Sequence, residues 1–256
     1  MIIKAVINQK GGVGKSTVSC NISYGAALEG KRVLLVDLDP QGHSTAIFAD
    51  HESPPANTMS DLFGNRAFPI EKAIYPAICL KEPVANLHLI PANNELATAA
   101  EQVASRVHRE KILARHLDKV ADKYDIAILD CPPTLGVLVV NGIYAADQFL
   151  IPTTYGRYSL DGIADLFAVI KDVKETENFS YRIIRNCYDS RNSLTNTFVD
   201  RELAPFEANL ASTLVRKVEA VNQAQCGGQP IYTYDPKSPA VQDFKALTRE
   251  LVQWEN

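Results

Sequence analysis

No C-x-x-C pair occurs among the five cysteines, Cys20, Cys79, Cys131, Cys187 and Cys226. Their odd number and scatter argue against a disulfide framework or a thiolate metal site, and predict reduced, mostly buried thiols. The five histidines, His43, His51, His88, His108 and His116, have no carboxylate or cysteine at metal spacing and read as surface or packing residues. No apolar run approaches the roughly 20 residues of a membrane span. The opening "MIIKAVINQK" is too short in its apolar stretch for a signal peptide, so a soluble, cytoplasmic chain is expected. Positive charge is not in surplus either: 26 Lys and Arg against 30 Asp and Glu leave a net charge of −4. Any contact with nucleic acid must therefore come from a local basic patch. There is no internal repeat, low-complexity tract or linker, and 256 residues is near the upper size for one core. One domain spanning 1–256 is expected.

What the sequence does have is alternation of short apolar runs with longer segments of helical period, the pattern of parallel βα units. Strands are predicted at 2–8, 32–37, 87–92, 125–130, 148–152, 181–187 and 211–215. Their aliphatic and β-branched character without strict alternation fits strands covered on both faces. Helices are predicted at 15–29, 93–105, 109–123, 136–145, 159–176, 195–207 and 239–254. The stretch from Ser53 to Pro83, with five prolines, reads as irregular structure plus one short helix. The expected fold is α/β: a mostly parallel, twisted central sheet flanked by helices on both faces.

The segment "NQKGGVGKST", Asn8 to Thr17, follows a predicted strand and opens a predicted helix. That is the context in which a P-loop works. Gly11, Gly12, Val13 and Gly14 let backbone N–H groups close around phosphate oxygens, and the helix N-terminus adds its positive dipole end. In this reading Lys15 reaches the β- and γ-phosphates, the Ser16 hydroxyl ligates Mg²⁺ and Thr17 holds the α-phosphate. A K-G-G-x-G-K-[ST]-T string arises by chance in roughly one chain in a million at average residue usage. A ligand-free glycine turn is therefore a poor account of it.

Gln9 stands where the ordinary loop has its first glycine, and a second lysine, Lys10, follows it. In this the chain resembles the ParA/MinD family of deviant Walker P-loop ATPases. The resemblance implies that Lys10 points away from its own nucleotide and contacts the phosphates held by a second, face-to-face subunit. Lys10 would then act as an arginine finger does, completing charge stabilisation during phosphoryl transfer in an ATP-sandwiched homodimer.

"RVLLVDLDPQG" puts Asp37 and Asp39 at the carboxyl end of a predicted strand, where α/β sheets place ligand groups. The resemblance assigns Asp39 to the attacking water, with Asp37 nearer the water shell of Mg²⁺. "DIAILDCPPTLG" ends a hydrophobic strand in Asp130, a Walker B carboxylate that holds Mg²⁺ through water. A nitrogenase-type iron protein on a related fold binds a cluster through two cysteines per chain. Cys131 has no convincing second partner and reads as a packed thiol. "YRIIRNCYDSRNSL" resembles the family strand whose end packs on adenine, with Asn186 as the base contact or, equally, a turn-capping residue. Gly156 occupies a position where relatives commonly carry glutamate, so that glutamate's role cannot be carried over.

The same resemblance implies non-specific DNA binding by the ATP dimer, through Arg191, Arg216 and Lys217, with Lys237, Lys245 and Arg249 able to enlarge the patch. Glu219 takes a position often held by a further DNA-contacting arginine, and its charge opposes phosphate. A ParB-like or other cargo adaptor would stimulate hydrolysis, and the ATP-bound protein would be nucleoid-associated. The tail "VQDFKALTRELVQWEN" places Phe244, Leu247, Leu251 and Trp254 at helical spacing but mixes acids with bases, so a helix packed on the sheet is expected rather than a membrane anchor. No helix-turn-helix extension precedes the loop, so operator-specific autoregulation is not expected. Two alternatives stay open: a MinD-like membrane-cycling regulator, and a nucleotide-gated interaction protein with negligible turnover.

Overall fold

The computed structural model describes residues 1–156 and 162–254. Its strands are β1 (Ile2–Val6), β2 (Val33–Asp37), β3 (Tyr75–Cys79), β4 (Glu82–Ile90), β5 (Ile126–Asp130), β6 (Gln148–Thr154), β7 (Ser180–Tyr188) and β8 (Leu210–Arg216). They form one sheet in the order β3-β4-β2-β5-β1-β6-β7-β8. Every neighbouring pair is parallel except β3 with β4. The helices are α1 (Lys15–Leu28), α2 (His43–Phe48), α3 (Met59–Gly64), α4 (Glu95–Val103), α5 (Ile112–Leu117), α6 (Val137–Ala145), α7 (Ile163–Lys174), α8 (Ser193–Leu203), α9 (Glu219–Cys226), α10 (Ile231–Tyr234) and α11 (Pro239–Gln253).

The strands alternate between two cores. Ile3 and Ala5, Leu34 and Val36, Ala127 and Leu129, and Phe149 and Ile151 face one core, with side chains of α3 to α8. Val6, Val33, Leu35, Ile126, Ile128 and Leu150 face the other, with α1, α2 and α9 to α11. Both faces of the sheet are thus dry, which is why its central strands are mostly aliphatic without strict polar alternation. The parallel register sets Val6 opposite Asp130 and Asp37 opposite Asp130, so the carboxyl ends of β1, β2 and β5 finish level. Ligands bind at such an edge in doubly wound sheets.

The stretch 53–83 departs from expectation. It contains the short helix α3, closed by a capping box between Thr58 and Asp61, but also β3 and the start of β4. Their two-residue connection places Leu80 and Lys81 at φ of 52° and 67°. Asn-Gly or Asp-Gly usually marks such a turn, and neither residue here carries that signal. Pro76 and Pro83 are tolerated because β3 is the edge strand and β4 enters beside it.

The short helices α2, α9 and α10 were not anticipated, since four to eight residues give too little period to recognise. The segment 109–123 is α5 with a 3₁₀ turn on either side rather than one helix. The helix expected from 159 begins, among the described residues, at Ile163, and its first expected turn lies outside them.

The tail forms α11, whose Phe244, Leu247 and Leu251 are buried against the sheet. Trp254 closes over two cations, the Lys4 ammonium at 5.0 Å and the Arg182 guanidinium at 4.7 Å from its ring centre. Among the described residues no helix is long and apolar enough to cross a membrane.

Candidate functional site

Residues 7–14 leave β1 and wrap the N-terminus of α1. Asn8 anchors the loop at both ends: its Nδ2 donates to the Pro152 carbonyl at 2.9 Å, and its Oδ1 accepts from the Lys10 N–H at 2.9 Å. Gly14 has φ of +90°, a conformation open to glycine without strain. A Cβ at Gly14 would overlap the Asn186 amide, whose Nδ2 donates to the Val13 carbonyl at 2.8 Å. Asn186 is thus a brace under the loop. Its Oδ1 accepts from the Cys187 N–H at 2.9 Å. Asn186 also lines the cleft described below.

Lys15 is nearly buried, and its ammonium donates to the Lys10 carbonyl at 3.0 Å. Burial pushes its pKa down, while the charges of Asp130, Cys131 and Asp39 pull it back up. Lys10 behaves differently. Among the described residues its ammonium has no hydrogen-bond or ion-pair partner, and Lys10 is absent from the walls of the cleft that Lys15 enters.

Two carboxylates lie under the loop. Asp130 accepts from the Ser44 hydroxyl at 2.6 Å and the Ser19 hydroxyl at 3.2 Å, and also holds Ser16. Asp37 accepts from the Thr45 N–H at 2.8 Å, the Thr45 hydroxyl at 2.7 Å and the Asp39 N–H at 3.1 Å. Both are fully buried, and burial raises both pKa values. Asp37 reaches about 8, with the Asp130 charge as the second cause. Asp130 and the cleft-wall Asp39 both act on Lys15, and two carboxylates beside one lysine leave room for a divalent cation's charge. The donor set fits Mg²⁺, which keeps most of its water and takes few protein ligands. Among the described residues no group of three His, Cys, Asp or Glu forms a metal cage.

Asp37 is tied into the turn that follows β2. Both of its oxygens are engaged by the turn into α2, so it shapes the loop carrying Asp39. Asp39 does line the cleft, and its Oδ1 accepts from the Gln41 N–H at 2.9 Å. Cys131 is buried, its sulfur packed 3.0 Å from where a Cβ on Gly142 would stand, as expected for a structural thiol.

The cleft has a volume of about 690 Å³. The phosphate loop forms one end. The other is made by Asn186 and Cys187 at the end of β7 and by the face of α9 carrying Val221, Asn222 and Gln225. Sequence reasoning missed Ser19, Ser44 and Thr45, which support the carboxylates, and the whole of the α9 wall. Ser19 was legible as one helical turn beyond Ser16. The others come from elements without a sequence signal.

The expected DNA contacts divide. Arg216 is clamped by Asp243, with a closest approach of 2.6 Å, and also donates to the Pro239 carbonyl at 3.0 Å. Arg191 is exposed and paired with Asp189 at 2.7 Å. Arg249 pairs with Glu29 at 2.8 Å. Lys217 is exposed and, among the described residues, free of any carboxylate partner. Glu219 opens α9 and accepts from Asn222 Nδ2 at 3.2 Å. The described part of the "IPTTYGRYSLDG" segment runs to Gly156 and resumes at Gly162.

Residues 1–183 match a family model described as an AAA domain. The chain is 33% identical over 252 residues to the sporulation initiation inhibitor protein Soj of Bacillus subtilis (strain 168), covering 97% of each. It is 32% identical to the chromosome-partitioning ATPase Soj of Treponema pallidum (strain Nichols), covering 96% of this chain and 95% of the relative. Among solved structures, cobyrinic acid a,c-diamide synthase from Mycobacterium smegmatis with bound ATP analog and magnesium superposes with a TM-score of 0.80 at 27% identity. That match covers 99% of this chain and 95% of the other.

Proposed function

The chain belongs to the ParA/Soj family of P-loop ATPases, and from that premise we propose that it is an ATP-driven partitioning ATPase of DNA or other cargo. ATP and Mg²⁺ occupy the cleft. Two subunits close face to face around two nucleotides, the dimer binds DNA without sequence preference, and an adaptor protein on the cargo stimulates hydrolysis and release.

The observation that carries this reading is the position of Lys10. A lysine held by its backbone in the phosphate loop, yet unpartnered and outside its own cleft, fits a cation offered to a neighbouring subunit. Lys15, Ser16 and Thr17 serve the chain's own nucleotide. Ser16 would hold Mg²⁺, whose charge would neutralise the phosphates, and Asp130 orients the Ser16 hydroxyl. Asp39, on the cleft wall, holds the attacking water in line. With Lys10 supplied only by a partner, hydrolysis is slow in the monomer.

Size-exclusion chromatography with Mg²⁺ and a non-hydrolysable ATP analogue tests the dimer. The wild type shifts to twice the monomer mass, and Asp39→Ala does so with ATP itself. Lys10→Ala retains binding of a labelled ATP analogue but stays monomeric. A wild type that binds nucleotide and remains monomeric, with phosphate release unaffected by Lys10→Ala, rejects the proposal. Duplex DNA retention with and without ATP tests the DNA arm separately.

A further inference from the structure

The Thr17 hydroxyl lines the nucleotide cleft in the first turn of α1. A threonine inside a helix ordinarily donates its hydroxyl hydrogen to the carbonyl four residues back. Here that carbonyl belongs to Val13, which accepts from Asn186 Nδ2 at 2.8 Å, and the Thr17 hydroxyl makes no bond to it. Across the cleft, Gln225 in the last turn of α9 donates from its Nε2 to Thr17 Oγ1. An amide nitrogen can only donate, so Thr17 Oγ1 must accept. Among the described residues Thr17 has no side-chain acceptor for its own hydrogen.

We propose that Gln225 is a positioning residue that fixes the Thr17 hydroxyl as a donor aimed into the cleft, poised for the α-phosphate of the bound nucleotide. This deepens the ATP-binding reading and rests on it.

The surrounding bonds support a rigid setting. Asn21, one turn beyond Thr17, donates to the Thr17 carbonyl at 2.8 Å and accepts from the Ile231 N–H at 2.9 Å. The Gly228 N–H closes on the Gln225 carbonyl at 3.0 Å, with Gly228 in the left-handed region at φ +63°. Helix α1 is therefore tied to both ends of the α9–α10 connection. These bonds hold the backbone that carries Gln225 against α1, within reach of the Thr17 hydroxyl. Val221 and Asn222 share the cleft-facing side of α9, so the helix presents one face to the ligand.

The experiment measures equilibrium binding of a fluorescent, non-hydrolysable ATP analogue with Mg²⁺ by anisotropy. It compares the wild type with Gln225→Ala, Gln225→Glu, Thr17→Ala and the double variant Thr17→Ala/Gln225→Ala, with Lys15→Ala as the control for the site itself. Gln225→Ala frees the hydroxyl rotor and weakens binding about 2- to 10-fold, the usual worth of one net hydrogen bond. Gln225→Glu weakens it further. Its carboxylate accepts the Thr17 hydrogen, reversing the bond, and adds negative charge beside the phosphates. Binding by Gln225→Glu recovers below about pH 5, as the carboxyl takes up a proton and can donate again. In the Thr17→Ala background, Gln225→Ala has no further effect.

A merely structural glutamine would give none of this ordering. Equal affinity of wild type, Gln225→Ala and Gln225→Glu overturns the proposal. So does an undiminished effect of Gln225→Ala without the Thr17 hydroxyl. If Lys15→Ala binds as well as wild type, the phosphate-loop reading falls and the proposal falls with it, an outcome distinct from the other two. Circular-dichroism melts of the nucleotide-free variants exclude loss of fold as the cause.

Discussion

Asp37 offers the most quantitative test of the site. It is buried, set opposite Asp130 in the sheet register, and its pKa rises to about 8. In the unfolded chain the same carboxyl titrates near its ordinary 3.8. Between those values the folded state binds more protons than the unfolded one, so stability falls as pH rises. A group with a folded pKa of 8 loses about 1.5–2 kcal/mol of stability between pH 6.5 and 8, at ~1.4 kcal/mol per unit toward the low-pH limit. Asp130, also raised, acts in the same direction.

Three other side chains bound the window. Burial lowers the pKa values of His88 and His116, so they make stability rise with pH up to about their ordinary 6.5. Lys4, lowered to about 8, makes stability rise with pH between 8 and its ordinary 10.5. The nucleotide-free protein should therefore lose stability as pH rises from about 6.5 to 8. For a chain of this size the loss between pH 6.5 and 8 corresponds to a drop of about 3–8 °C in Tm. Thermal melts in the absence of nucleotide measure it. Mg²⁺ with ADP supplies the missing positive charge and flattens the slope, so the ligand's stabilisation grows with pH. Asp37→Asn removes most of the slope. A wild-type Tm flat or rising across this interval, or an unchanged slope in Asp37→Asn, refutes the carboxylate pair as described.

Gly14→Ala forces a side chain into the left-handed region and into the Asn186 amide; it should cost about 2–3 kcal/mol, from strain of about 1–2 and one hydrogen bond of about 1. Denaturant melts check it, and partial recovery in Gly14→Ala/Asn186→Gly identifies the collision. Arg216→Ala should lower stability by leaving Asp243 half of a broken ion pair against α11, read as a shifted urea midpoint at constant slope. Lys217→Glu should leave that midpoint unchanged and weaken duplex DNA retention, measured as a smaller salt dependence of binding. Lys15→Ala should abolish binding of a labelled ATP analogue, because no other ammonium in the cleft carries its hydrogen-bonded position at the loop.

The local features were legible because each is a short-range physical requirement written in adjacent residues. Glycines at positive φ, a lysine and two hydroxyls at the start of a helix, and carboxylates closing aliphatic strands need no distant partner to be recognised. Asp39 on the cleft wall and Cys131 as a packed thiol follow from that. Two-faced burial was legible too, since a strand covered on both sides cannot afford polar alternation. The β3–β4 turn was not, because Leu80 and Lys81 adopt left-handed conformations that tertiary pairing imposes on residues without the usual turn chemistry.

What the sequence alone determined, then, is the fold class, the phosphate loop and the identity of the charged groups around it. Tertiary structure alone decided which of those groups are spent on one another. Asp243 lies 27 residues beyond Arg216 and neutralises it, while Lys217 next door goes unpaired. Asp37 gives one oxygen to Thr45 and the other to the Asp39 N–H, and Gln225 crosses 208 positions to reach Thr17. Hydrogen bonds and ion pairs act over about 3–4 Å in space, and chain separation says nothing of that distance until the sheet and helices have packed.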